Sequence, residues 1–195
     1  MIHDSDTDTE HAHGLQLGTR GWRHAHWQNT FYPDDLPEDW QLAYYANEFS
    51  TVLVPVEAWS QQADVAQWLD DVPEGFRFYM EAPQQQELYP LFTMTCEMLQ
   101  DKLGGVVANE VIQLPITAPV YVAEETNAQH ILFREQTNGS VLASLEEDSA
   151  DLKVLRKWLQ QVMAENELHG IFLSNKSVSV QQLRDVKTLV ELLGI

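Results

Sequence analysis

Apolar positions along this chain recur with two periods. Short β-branched or alternating runs are separated by longer stretches in which apolar residues return every three or four positions, the marks of strands and helices respectively. Leu15-Gln16-Leu17 alternates into Gly18 and predicts a short first strand. Pro37-Glu38-Asp39 places proline and acids where a helix N-terminus prefers them, and Leu42, Tyr45, Ala46 and Phe49 then share one helical face. Residues 52–56 form a continuous run suited to a buried parallel strand, which Pro55 weakens. Ser60 is placed to cap a second helix with Val65, Trp68, Leu69 and Val72 on one face. A turn at Pro73-Glu74-Gly75 leads to a third strand over 76–80. Leu88, Phe92, Cys96, Leu99 and Leu103 mark a third helix, with Gly104-Gly105 as its stop.

A fourth strand lies within 106–114, before Pro115, and residues 117–129 carry no clear period. Shorter strands are expected at 131–133 and 141–142, with Asn138-Gly139 as a hairpin turn between them. Leu152, Leu155, Leu159, Val162 and Met163 predict a helix, and residues 170–173 the last strand. Ser179 and Gln182 are spaced for a capping box opening a terminal helix with Leu183, Val186, Val190 and Leu193 inward. Strands alternating with helices imply an α/β fold on a mostly parallel sheet. Residues 14–195 are expected to form a single domain behind an acidic, disordered tail at 1–13.

Charge narrows the choice of partners. The 195-residue chain holds 30 acids against 11 Lys and Arg, a formal net charge of −19. A phosphate backbone needs cations to displace its counterions, so neither nucleic acid nor an anionic membrane is an expected partner. No apolar run is long enough to span a bilayer, and the polar N-terminus is unlike a signal peptide. A single cysteine, Cys96, precludes an intrachain disulfide and suits the cytoplasm, the expected location. Its apolar neighbours suggest a buried, inert thiol. His3, His11 and His13 among acids in the tail could capture a divalent metal once ordered.

The aromatic stretch between the first two strands carries a resemblance. Gly18-Thr19-Arg20-Gly21-Trp22, Trp27, Phe31-Tyr32-Pro33, Trp40, Tyr44-Tyr45-Ala46, Phe49 and Thr51-Val52 stand in the order of a GTSGW-like motif, a tryptophan, FYP, a WLxYYAxxF helix and a TVEIN-like strand. Glu74–Phe78, Ala82-Pro83, Lys102-Leu103-Gly104 and Gln113-Leu114-Pro115 match further segments, and Phe172–Asn175 with the helix after it is similar to the last strand and helix. The chain thus resembles the YecE-like family, domain of unknown function 72, closely over 15–115 and poorly over 116–150. The resemblance implies a TIM-barrel-like (β/α) fold and no established activity. A full barrel uses about 250 residues, so a reduced or irregular one is expected, with β/α units lost or shrunken in the second half.

The family's polar positions are where this chain departs. Leu53 and Pro55 stand at its glutamate and asparagine, Glu81 at its lysine, and Leu132 at a carboxylate whose arginine partner Arg134 matches. Leucine and proline cannot move a proton. The expectation is therefore a catalytically degenerate barrel acting in binding or protein interaction, with missing strand–helix units exposing apolar faces that a homodimer or partner protein would cover. The alternative is a hydrolase or a sugar- or phosphate-directed lyase, with or without a metal, with Glu57 and Glu81 as acid–base groups at the C-terminal ends of the strands.

For ligand binding the candidates are Arg20, Trp22, Trp27, Tyr32, Trp59, Gln113, Arg134 and Asn175. Arginines near strand ends suit a carboxylate or phosphate, though pairing with nearby acids is the more ordinary use. The aromatic residues could stack on a flat or sugar-like ligand, or simply close one barrel mouth. His24 and His26 share the spacing of a metal-clamping pair but lack an assigned third ligand. No phosphate loop, dinucleotide fingerprint or Cys-x-x-Cys occurs, and no cofactor is expected.

Overall fold

A computed structural model describes residues 15–61, 64–126, 129–147 and 151–194. The metal-capture expectation for the tail lies outside these residues. Eight strands form one sheet in the order β1-β8-β7-β6-β5-β4-β3-β2. They are β1 (Gln16–Thr19), β2 (Thr51–Val54), β3 (Arg77–Glu81), β4 (Leu103–Ala108), β5 (Val120–Thr126), β6 (His130–Glu135), β7 (Val141–Leu145) and β8 (Leu168–Leu173). The two ends of the sheet meet where Arg20 bridges Leu53 and the Gly21 N–H donates to the Leu53 carbonyl at 2.7 Å. The sheet is thus a nearly closed barrel. Every strand runs in the same direction except β6, which is antiparallel to both neighbours.

The helices are α1 (Gln41–Ala46), α2 (Val56–Trp59), α3 (Val65–Asp71), α4 (Tyr89–Leu99), α5 (Leu152–Glu165) and α6 (Val180–Leu193). Helices follow β1, β2, β3, β7 and β8, while the connections from β4 to β7 have none among the described residues. The reduction expected in the second half therefore removes helices and keeps strands. Between β4 and β5 an extended segment takes the helix's place, and its Ile112, Leu114 and Ile116 pack against the core. Alternation lets this segment lay one row of side chains on the sheet while Val111 and Gln113 face outward.

Two apolar clusters hold the barrel. The larger lies between sheet and helices, and in it Trp27, Tyr32, Tyr45, Phe49 and Phe76 join the aromatic loop to α1 and β3. The smaller fills the barrel with one side chain from each strand from β2 to β8: Leu53, Tyr79, Val107, Tyr121, Phe133, Leu142 and Phe172. Tyr79 meets Phe172 edge-on at 5.2 Å between centroids. The interior is a packed core, as in other β/α barrels, and not a channel.

Several local expectations need correction. Ser60 ends α2, and Asp64 caps α3 by accepting from the Gln67 N–H at 3.0 Å. Pro55 does not merely weaken β2 but ends it and opens α2. Leu103 and Gly104-Gly105 belong to β4. These glycines serve the barrel wall, since a Cβ on Gly104 would lie 2.7 Å from the Tyr79 ring and one on Gly105 2.8 Å from the Tyr121 ring. The patternless stretch 117–129 contains β5. The capping box at Ser179 and Gln182 forms as its spacing predicts, with both reciprocal bonds present. Gly139 takes a positive φ of 78° in the β6–β7 turn, the role that glycine supplies there.

Candidate functional site at the barrel mouth

The first three strands deliver charged groups to the C-terminal end of the barrel. Arg20 leaves β1, Glu81 ends β3, and Glu57 sits in the first turn of α2. The Arg20 guanidinium grips Glu81 with Nε at 2.5 Å and Nη2 at 2.9 Å, and Glu57 with Nη1 at 2.9 Å and Nη2 at 3.2 Å. Its forked geometry suits such two-carboxylate pairing. The Glu57 side chain is 62 % exposed and that of Glu81 only 21 %. Slight burial lifts Glu57, but the Arg20 hydrogen bonds outweigh it and hold its carboxyl below the usual range. At Glu81 deeper burial prevails and moves the carboxyl up against the pull of Arg20. Burial alone would lower the Arg20 guanidinium, and its bonds to Glu81 and Glu57 raise it instead.

Two cavities adjoin this cluster, with Arg20 in the wall of both. One of about 730 Å³ lies between the aromatic loop and α3, lined by Trp22, His24, Glu57, Asp64 and Trp68 among others. The second, about 380 Å³, is the mouth itself, with Glu81, Asn109, Ser144, Glu146 and Ser174 around an apolar floor that includes Leu53, Val107 and Phe133. On the β7 and β8 side of the same mouth, the Ser144 hydroxyl donates to Glu146 Oε1 at 2.6 Å and lies 2.6 Å from the Ser174 hydroxyl.

Glu57, Glu81 and Arg20 come together as their positions after strands suggest, but as partners of one another. Most of the other candidates are placed elsewhere. Trp27, Tyr32 and Trp59 are buried and engaged: Trp27 Nε1–H donates to the Val178 carbonyl, the Tyr32 hydroxyl to Trp22 O and Trp59 Nε1–H to Glu81 O. Their burial accords with the packing role, one of the two uses expected of them. Trp22 walls the larger cavity while only 2 % exposed, its ring edge-on to Trp68.

Gln113 faces a surface cleft beside α4, away from the mouth. Arg134 lies at the opposite end of the barrel because β6 is reversed. There it clamps Glu124, the Gly139 carbonyl and the Asn166 amide oxygen at 2.7, 2.7 and 2.8 Å. The buried Asn175 accepts from Ser177 N–H in the turn after β8, a structural role. Burial pushes the Cys96 thiol up to about 12, which keeps it protonated and unreactive.

His24 and His26 each turn a ring nitrogen to a different backbone carbonyl. Nε2 of His24 faces the Gly21 carbonyl at 3.2 Å, and Nε2 of His26 the Val178 carbonyl at 2.6 Å. Burial lowers His24 to about 4, against the raising effect of its Gly21 bond. A histidine lowered in the fold binds fewer protons than it does unfolded, so stability is full above its unfolded value near 6.5 and falls as pH drops toward 4. The expected loss is on the order of 3 kcal/mol. Urea titrations across that interval should show this slope in the native chain and a flatter one in His24→Gln.

The geometry defines a β/α-barrel protein with a charged rim and a filled interior. The model of the family described as protein of unknown function DUF72 matches residues 16–115, more than half of the chain, and the chain belongs to that family. The matched region runs from β1 through β4 and into the extended segment after it, stopping before β5. No match was found among curated proteins or among solved structures. Among the described residues no helix is long and apolar enough to cross a membrane.

Proposed function

We propose that this chain is a catalytically degenerate barrel that acts by binding and not by turnover. The observation that carries this reading is the closed Arg20–Glu57–Glu81 cluster at the ends of β1 to β3. A general acid or base must reach a substrate proton, and here both carboxylates are spent on one guanidinium. The family's glutamate position on β2 is occupied by Leu53, part of the packed interior. A hydrolase or lyase using Glu57 and Glu81 would have to break this cluster before acting. A protein partner or second copy fits the same reading, with Trp40, Met94, Met98 and Val111 as exposed apolar side chains for it to cover.

The test is incubation of the purified chain with a small-molecule extract, followed over time by mass spectrometry. No compound should be consumed faster than with heat-unfolded protein. A compound depleted by the native chain and spared by Glu81→Gln would refute the reading.

A further inference from the structure

The β7–β8 side of the mouth is built differently from the β2–β3 side, where Arg20 meets its carboxylates. Glu146 follows β7, Ser144 lies within it, and Ser174 follows β8, so three polar groups converge from two adjacent parallel strands. Their proton direction is fixed by chemistry. An ionised carboxylate only accepts, so Ser144 gives its single hydroxyl proton to Glu146 at 2.6 Å. The 2.6 Å contact with Ser174 must then be donated by Ser174. Both hydroxyl protons are consumed inside the relay. Ser174 is left with lone pairs, and Glu146 with its second oxygen, Oε2, so these two groups can only accept from a ligand.

Charge points the same way. Arg20 is the cation of the mouth cavity's lining, and its Nε, Nη1 and Nη2 are all bonded to Glu81 and Glu57. An incoming carboxylate or phosphate would find no unengaged cation and would face Glu146. Below the polar rim, Leu53, Val107, Ile131 and Phe133 form an apolar floor. At about 380 Å³ the cavity is at the small end of sites that take small organic molecules.

We infer that the barrel mouth binds a small organic amine as its ammonium ion, the nitrogen donating to Glu146 and Ser174 and the hydrocarbon part lying on the apolar floor. The inference rests on the binding reading above in one respect, that the amine is held and not converted.

Calorimetric titration of the full chain at neutral pH with phenethylamine, phenethyl alcohol and phenylacetate tests it. Phenethylamine should bind saturably, the isosteric alcohol about ten-fold more weakly or less, and phenylacetate not at all, since a charge-assisted hydrogen bond is worth that factor or more. Glu146→Gln should weaken amine binding by about ten-fold with an unchanged melting temperature, and Ser174→Ala by a smaller factor. Absence of amine binding, equal binding of amine and alcohol, binding of phenylacetate, or an amine affinity unmoved by Glu146→Gln would each overturn the inference. Mass spectrometry of the titrated amine separates the two claims: chemical conversion would sink the non-catalytic reading and leave the amine assignment standing.

Discussion

Trp27→Ala is expected to destabilise the chain by about 3–5 kcal/mol, the cost of truncating a fully buried large aromatic residue. Trp27 is 1 % exposed, and its ring contacts Phe31, Tyr32 and Tyr45. It is also a hinge of polar contacts, because its indole N–H and the His26 imidazole both meet the Val178 carbonyl at the foot of α6. Alanine would open a void between the aromatic loop and the C-terminal helix and leave that carbonyl with one partner fewer. Equilibrium urea unfolding, followed by circular dichroism, measures the change. A loss below about 1 kcal/mol would show that the loop is not part of the cooperative core.

Gly18→Ala should cost about 1–3 kcal/mol or more, the range for forcing extra volume into a packed interior. The seam of the barrel passes through this residue. A Cβ there would lie 2.3 Å from the Thr51 carbonyl oxygen and 2.9 Å from its carbon, both main-chain atoms that cannot swing aside. Relief requires β1 and β2 to separate, the two strands whose approach closes the ring. Gly75→Ala is the matched control, since nothing lies within 4 Å of a Cβ at that site. Equal denaturation midpoints for the two variants would mean that the seam is loose.

Much of the fold is legible because its signals are local. The apolar spacing of α1 and the capping box at Ser179 each specify a backbone state within a few residues. Failures occur where tertiary contacts decide. Gly104-Gly105 reads as a helix stop, yet it is glycine because two tyrosine rings press on that part of β4. The strand at Val120–Thr126 has acids in its second half and gains its place only by pairing with β4 and β6.

The candidate site divides in the same way. Arg20, Glu57 and Glu81 stand just after predicted strands or within motifs, so their convergence can be anticipated from the chain. Ser144, Ser174 and Glu146 cannot. Serine and glutamate near strand ends carry no spacing signature, and the first two are separated by a helix and a strand in sequence. Arg134 shows the reverse error. Its motif position would put it beside Arg20 if β6 ran with its neighbours.

That inverted strand also limits how such a ring can shrink. Adjacent strands joined by a tight turn must point oppositely, whereas co-directional neighbours need a crossover of about a dozen residues. Replacing one crossover by a tight turn would leave every later strand upside down, whereas the extended segment from β4 to β5 loses its helix and still keeps β5 parallel. Two short returns, one on each side of β6, restore the original sense for β7 and β8. Shortening by tight turns therefore proceeds by even numbers, a parity rule that the geometry of the cylinder imposes.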